Sequence, residues 1–155
     1  GKAMRWVLPV VASIVAASAA WADSKPWDRA EQGGAIYAGT IDDMKQSVEI
    51  FCPVTGNAEL VVQSPQFRVS MPDEHQYSLT FVTASGRTDL VATSKEAELH
   101  YEAADLNARV TLQRLAQDIG SSKTFTVAVS PFGWKGEFSA EGAADALKGL
   151  LDKCS

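Results

Sequence analysis

Two cysteines, Cys52 and Cys154, are the only ones in the chain, and whether they are joined constrains the fold more than any other feature. The start of the sequence bears on that question. From Met4 it runs MRWVLPVVASIVAASAAWADS, with Lys2 and Arg5 ahead of the apolar stretch. A basic start, a short apolar centre and small residues at Ala20 and Ala22 make the pattern of a secretory signal peptide cut after Ala22. The other reading is a retained membrane anchor, since the stretch sits at the lower limit for crossing a bilayer. Its alanine content and cleavage site favour removal. The sequence thus predicts a leader over residues 1–22, a periplasmic or secreted mature chain, and no membrane span after cleavage. In an oxidising compartment an even number of cysteines reads as a disulfide. Joining Cys52 to Cys154 closes a loop of about 100 residues, worth roughly 4–5 kcal/mol in a chain-entropy treatment.

Residues 23–155 are enough for one domain with its own core. Lys2 and Arg5 leave with the leader, so the formal net charge moves from −5 to −7. An acidic exported domain is poorly suited to nucleic acid or anionic lipid and draws cationic partners.

Residues 23–34, DSKPWDRAEQGG, are polar and turn-rich and read as a flexible segment preceding a single β-rich domain over 35–155. Beyond them the hydrophobic period is mostly two. Val48, Ile50 and Cys52 alternate with Ser47, Glu49 and Phe51, which puts Cys52 at the inward end of a strand. Similar alternation or β-rich composition predicts strands over 35–38, 59–63, 67–71, 77–82, 90–93, 98–103, 106–112 and 123–129, with turns at Thr55-Gly56-Asn57, Ala84-Ser85-Gly86 and Pro131-Phe132-Gly133, after which 134–138 leads into the last helix. Leu112, Leu115, Ala116 and Ile119 fit a short helix ending at Gly120. Ala140, Ala143, Ala144, Leu147, Leu150, Leu151 and Cys154 fall on one stripe of an amphipathic helix capped by Ser139. That stripe carries Cys154 toward the body, where it can meet Cys52. The predicted class is mainly β: an antiparallel sandwich or small barrel with a short helix and a C-terminal amphipathic helix packed on it.

The chemistry-bearing residues are sparse. The sequence holds no G-x-S-x-G elbow, phosphate-loop glycines, C-x-x-C or H-E-x-x-H, and it has two histidines. His75 lies in the turn Met71-Pro72-Asp73-Glu74-His75 and reads as a solvated loop residue. Glu98, His100 and Glu102 share one strand face at i, i+2 and i+4, a weak set of metal candidates, since alternation alone produces such a polar face. Phe132 and Trp134 flank a turn, where an exposed tryptophan would anchor a partner and a buried one would cover the edge of the core. The sequence therefore predicts a non-catalytic protein with no cofactor that binds another protein of the envelope.

Two resemblances extend this reading. Phe138-Ser139, Gly142, Ala146-Leu147 and Cys154 resemble the C-terminal pattern of small exported alphaproteobacterial proteins of the invasion-associated locus B type. That similarity spans about the last 45 residues and implies a β-sandwich in the periplasm or envelope. Val48-Glu49-Ile50-Phe51-Cys52 and Thr83-Ala84-Ser85-Gly86-Arg87 are similar to the periplasmic inhibitors of C-type lysozyme, small barrels that insert a Ser-Gly loop into the enzyme cleft. This second resemblance implies that the partner is a cationic cell-wall hydrolase, that Ser85 is the inserted residue, that Gly86 shapes the turn and that Arg87 lies beside it. Thr88 and Asp89 stand where that family has a tyrosine or similar residue.

Overall fold

In β3 (Ser47–Cys52) Val48, Ile50 and Cys52 are buried and the residues between them half-buried. This alternation is what a sheet with one face on a core requires. It recurs in β2 (Ala35–Ile41), β5 (Gln76–Thr83), β6 (Gly86–Lys95) and β8 (Thr124–Ser130). The remaining strands are β1 (Asp28–Gln32), β4 (Glu59–Gln63), β7 (Glu98–Glu102) and β9 (Trp134–Ser139). The computed structural model describes residues 24–154; the leader assigned to residues 1–22 lies outside them. Among the described residues no helix is long and apolar enough to cross a membrane.

The nine strands of the described residues belong to one antiparallel sheet of order β1-β2-β3-β4-β7-β6-β5-β8-β9. The chain meanders from β1 to β4, crosses to β5, and meanders back so that β7 pairs with β4. Helix α2 (Leu106–Gly120) then returns it to β8, beside β5. The class is the mainly antiparallel β one expected, built as a single curled sheet with short helices.

The curl brings the two ends of the sheet together, and residues 24–27 lie across the gap. Lys25 N donates to Ile41 O at 3.0 Å at the end of β2. On the far side Ser139 N donates to Ser24 Oγ, Trp27 N to Glu141 O at 2.8 Å and Trp27 Nε1 to Ser139 O at 2.8 Å. Below them runs a line of rings from Trp27 through Phe125 and Phe138 to Trp134 and Phe67, with centroids 5.3 to 6.4 Å apart. Arg29 ties β1 to the last carbonyls of α3 (Ala143–Leu147), donating to Ala146 O and Lys148 O.

Four local expectations are corrected. The segment 23–34 holds β1 and a Trp27 that is 6% exposed, since that indole fills the seam and has a hydrogen-bond partner there. Residues 106–112 form the first half of α2 instead of a strand. Asp105 caps that helix by accepting from Ala108 N at 2.8 Å, and the apparent alternation of Leu106 and Val110 is a solvent-facing i, i+4 pair, 65% and 46% exposed. Phe67–Ser70 is a one-turn helix, α1, with Phe67 alone buried. The terminal helix is broken: α3 starts after Gly142, not at Ser139, and stops before Gly149, whose φ of 67° a helix does not accommodate. A 3-10 turn, Leu151–Lys153, follows. Leu150 is buried, as the stripe requires, whereas Ala144 is exposed.

Cys154 nevertheless reaches β3. It is bonded to Cys52 across 102 residues, with Cα atoms 5.1 Å apart. Cys154→Ser is expected to lower unfolding free energy by about 2–5 kcal/mol, read as a lower urea midpoint than that of the oxidised parent. Trp27→Phe keeps an aromatic ring but leaves Ser139 O without its donor. It should cost about 1–3 kcal/mol in the same measurement.

Candidate functional site on the outer face of the sheet

The residues that alternate with the core face outward, and on β2, β3, β4 and β7 they form a continuous surface. The register sets Tyr37 opposite Phe51 and Gly39 opposite Glu49. Glu49 lies opposite Val61, Val61 opposite His100, and Glu59 opposite Glu102. The Tyr37 and Phe51 rings stack, 5.3 Å between centroids and 20° between planes. Val61, between Glu49 and His100 in the ladder, is only 7% exposed although it points outward.

His100 is clamped. Nδ1 stands 3.0 Å from Glu59 Oε1 and Nε2 3.0 Å from Glu98 Oε1. A neutral imidazole can donate to one of these carboxylates and an imidazolium to both. The two contacts join His100 to Glu59 on the neighbouring β4 and to Glu98 on its own strand. Glu102 points elsewhere, accepting from Asn57 Nδ2 at 2.8 Å. Glu98, His100 and Glu102 thus share a face as expected, but they do not converge on a common point. Among the described residues no group of three His, Cys, Asp or Glu is arranged to hold a metal ion.

Glu49 is the perturbed group of this face. Burial, and secondly the charge of Glu98, push its carboxyl above the usual glutamate range. No group among the described residues donates a hydrogen bond to it.

The other sequence candidates lie apart. Ser85 sits in the two-residue turn between β5 and β6, with Ala84 and Ser85 exposed. The turn is anchored: Ala84 N donates to Ser122 Oγ at 2.9 Å and Ser85 N to Thr83 Oγ1 at 3.1 Å. Gly86 opens β6 opposite Thr83, and Arg87 pairs with Asp89 at 3.2 Å. Hydrogen bonds from Thr80 and then Arg87 hold the Asp89 carboxyl below its ordinary range. Phe132 and Trp134 lie at the opposite end of β5, where Ser130 pairs with Ser78. Trp134 is 5% exposed, packs on Phe67 and donates from Nε1 to Gln46 Oε1 at 2.9 Å. With its ring enclosed and its one donor used, it has no face for a partner and belongs to the core. Phe132 is half-buried against Phe67 and Tyr77. His75 is exposed in its loop, its Nδ1 3.0 Å from Asp73 O.

Sequence reasoning did not single out Tyr37, Glu49 or Glu59. Strand alternation placed Glu49 outward and left the facing of Tyr37 and Glu59 open, and only the register brings the three onto one surface. Set against protein-family models, curated proteins and solved structures, the chain matches none.

A raised carboxyl pKa favours the folded state while the group is protonated, and that advantage is lost as pH rises through the folded value. Glu49→Gln is therefore expected to unfold at a higher urea concentration than the parent near pH 7. The gain is at most about 1 kcal/mol, because the carboxyl is still partly solvated. At about pH 3, where both side chains are neutral, the two midpoints should coincide.

Proposed function

We propose that the chain is an exported, non-catalytic protein of the periplasm or cell envelope that acts by binding another protein through the outer face of its sheet. The observation that carries this reading is the stacked Tyr37–Phe51 pair on the same sheet face as Glu49, Glu59, Glu98 and Glu102. Aromatic residues are the usual anchors of protein interfaces. Surrounding carboxylates favour a cationic partner and speed its encounter. The Cys52–Cys154 bond fits an oxidising compartment.

A second reading, inhibition of a lysozyme-like cell-wall hydrolase through Ser85, draws on the exposed Ala84-Ser85 turn. Against it, the turn is short and tied to the end of α2, and does not extend as a loop.

Titrating the oxidised protein with a C-type lysozyme, a strongly cationic protein, separates the two. The first reading expects association at low salt that weakens at about 0.1 M salt or above, with lysozyme activity intact and no effect of Ser85→Tyr. Inhibition that Ser85→Tyr abolishes would replace the first reading with the second. Absence of association at low salt would overturn a surface for cationic proteins.

A further inference from the structure

On the outer face, β1, β2 and β3 enclose a shallow trough of about 650 Å³. Its floor is made by a missing side chain. A Cβ on Gly39 would stand 2.7 Å from the Val48 carbonyl oxygen, so this position in β2 excludes any larger residue and leaves a dip in an otherwise covered face. Tyr37 and Ile41, two residues to either side of Gly39 on the same strand face, flank the dip. Glu49 lies directly opposite Gly39 in the ladder, and Ser47 and Gln63 continue the lining. Lys25 and Asp28 stand at the rim.

We propose that the trough of Tyr37, Gly39 and Glu49 receives an arginine side chain of the partner protein. This deepens the binding function above and rests on it. Three features agree on the occupant. Glu49 is half-buried yet has no donor within the described residues, a costly arrangement that a charged donor from outside would relieve. Tyr37, backed by its stack on Phe51, offers an aromatic wall to a cation. A guanidinium suits the pair better than an ammonium: it is planar, less strongly hydrated, and can meet a carboxylate with two parallel hydrogen bonds while stacking on a ring. The overall formal charge of −5 draws such a partner in.

The test uses the oxidised full chain, ¹⁵N-labelled, titrated at low salt with the capped peptides Gly-Gly-Arg-Gly-Gly, Gly-Gly-Lys-Gly-Gly and Gly-Gly-Gln-Gly-Gly. The arginine peptide is expected to shift the amide signals of Tyr37, Gly39, Glu49 and Gln63, with the lysine peptide weaker and the glutamine peptide without effect. Glu49→Gln should weaken the arginine peptide by about tenfold, and Tyr37→Leu by about threefold. Glu137→Gln, on the exposed part of β9, should change it by less than about twofold. Spectra and melting curves of the free variants show that each is folded. Shifts centred elsewhere, equal binding of the lysine peptide, or indifference to Glu49→Gln would each overturn the proposal. If lysozyme associates but the peptides do not reach the trough, this site falls and surface binding stands. If neither binds, both fall.

Discussion

A curled antiparallel sheet must do something with its two edges, and here the answer is one tryptophan and the three residues before it. Unpaired strand edges invite pairing with other chains. Residues 24–27 occupy the place where an added strand would lie, hydrogen-bonded to the end of β2 on one side and to Ser139 and Glu141 on the other. Trp27 contributes both a backbone and an indole donor, and its ring begins the aromatic line that fills the seam. Gln46 does related work further along, taking Trp134 Nε1 and Ser64 Oγ on its carbonyl oxygen while its amide reaches Asp42. The sheet is therefore fastened by polar contacts over an aromatic interior, without a continuous ladder across the gap.

The C-terminal part fastens the same body from another side. The terminal amphipathic segment is not one long helix but a short helix followed by a 3-10 turn. Breaking it at Gly149 turns the last residues back, so that Leu150 is buried and Cys154 meets the inward end of β3. The disulfide and the Trp27 bridge act on different strands, which leaves little freedom to the outer face between them.

Much of this was legible in the residues. Cys52 sits at the buried end of its strand because Val48, Ile50 and Cys52 alternate, and alternation or β-rich composition placed at least part of β2, β4, β5, β6, β7 and β8, while β9 read only as the lead-in to the last helix. Where the reading failed, a competing local signal decided. Asp105 acts as a helix cap and overrides an accidental period of two in Leu106, Ala108 and Val110. Polar β1 carries no hydrophobic alternation because it is exposed along most of its length, so nothing in its composition marks it as a strand. Trp27 fell within a segment read as flexible because its partners, Ser139 and Glu141, lie more than a hundred residues away. The outer-face site was invisible for a similar reason: Gly39 and Glu49 acquire their relation from the β2–β3 register, which the sequence does not state.

The sheet order has a consequence for how such a chain becomes whole. Strand β4 finds its second neighbour only when β7 exists, Trp27 finds its acceptors only when β9 has ended, and Cys52 finds its sulfur partner at the far end of the sequence. The earliest segments therefore depend on partners far along the sequence, and long-range pairing of this kind slows folding. The turn that seats Leu150 also brings Cys154 to Cys52, so burial of that side chain and closure of the disulfide fall at one place.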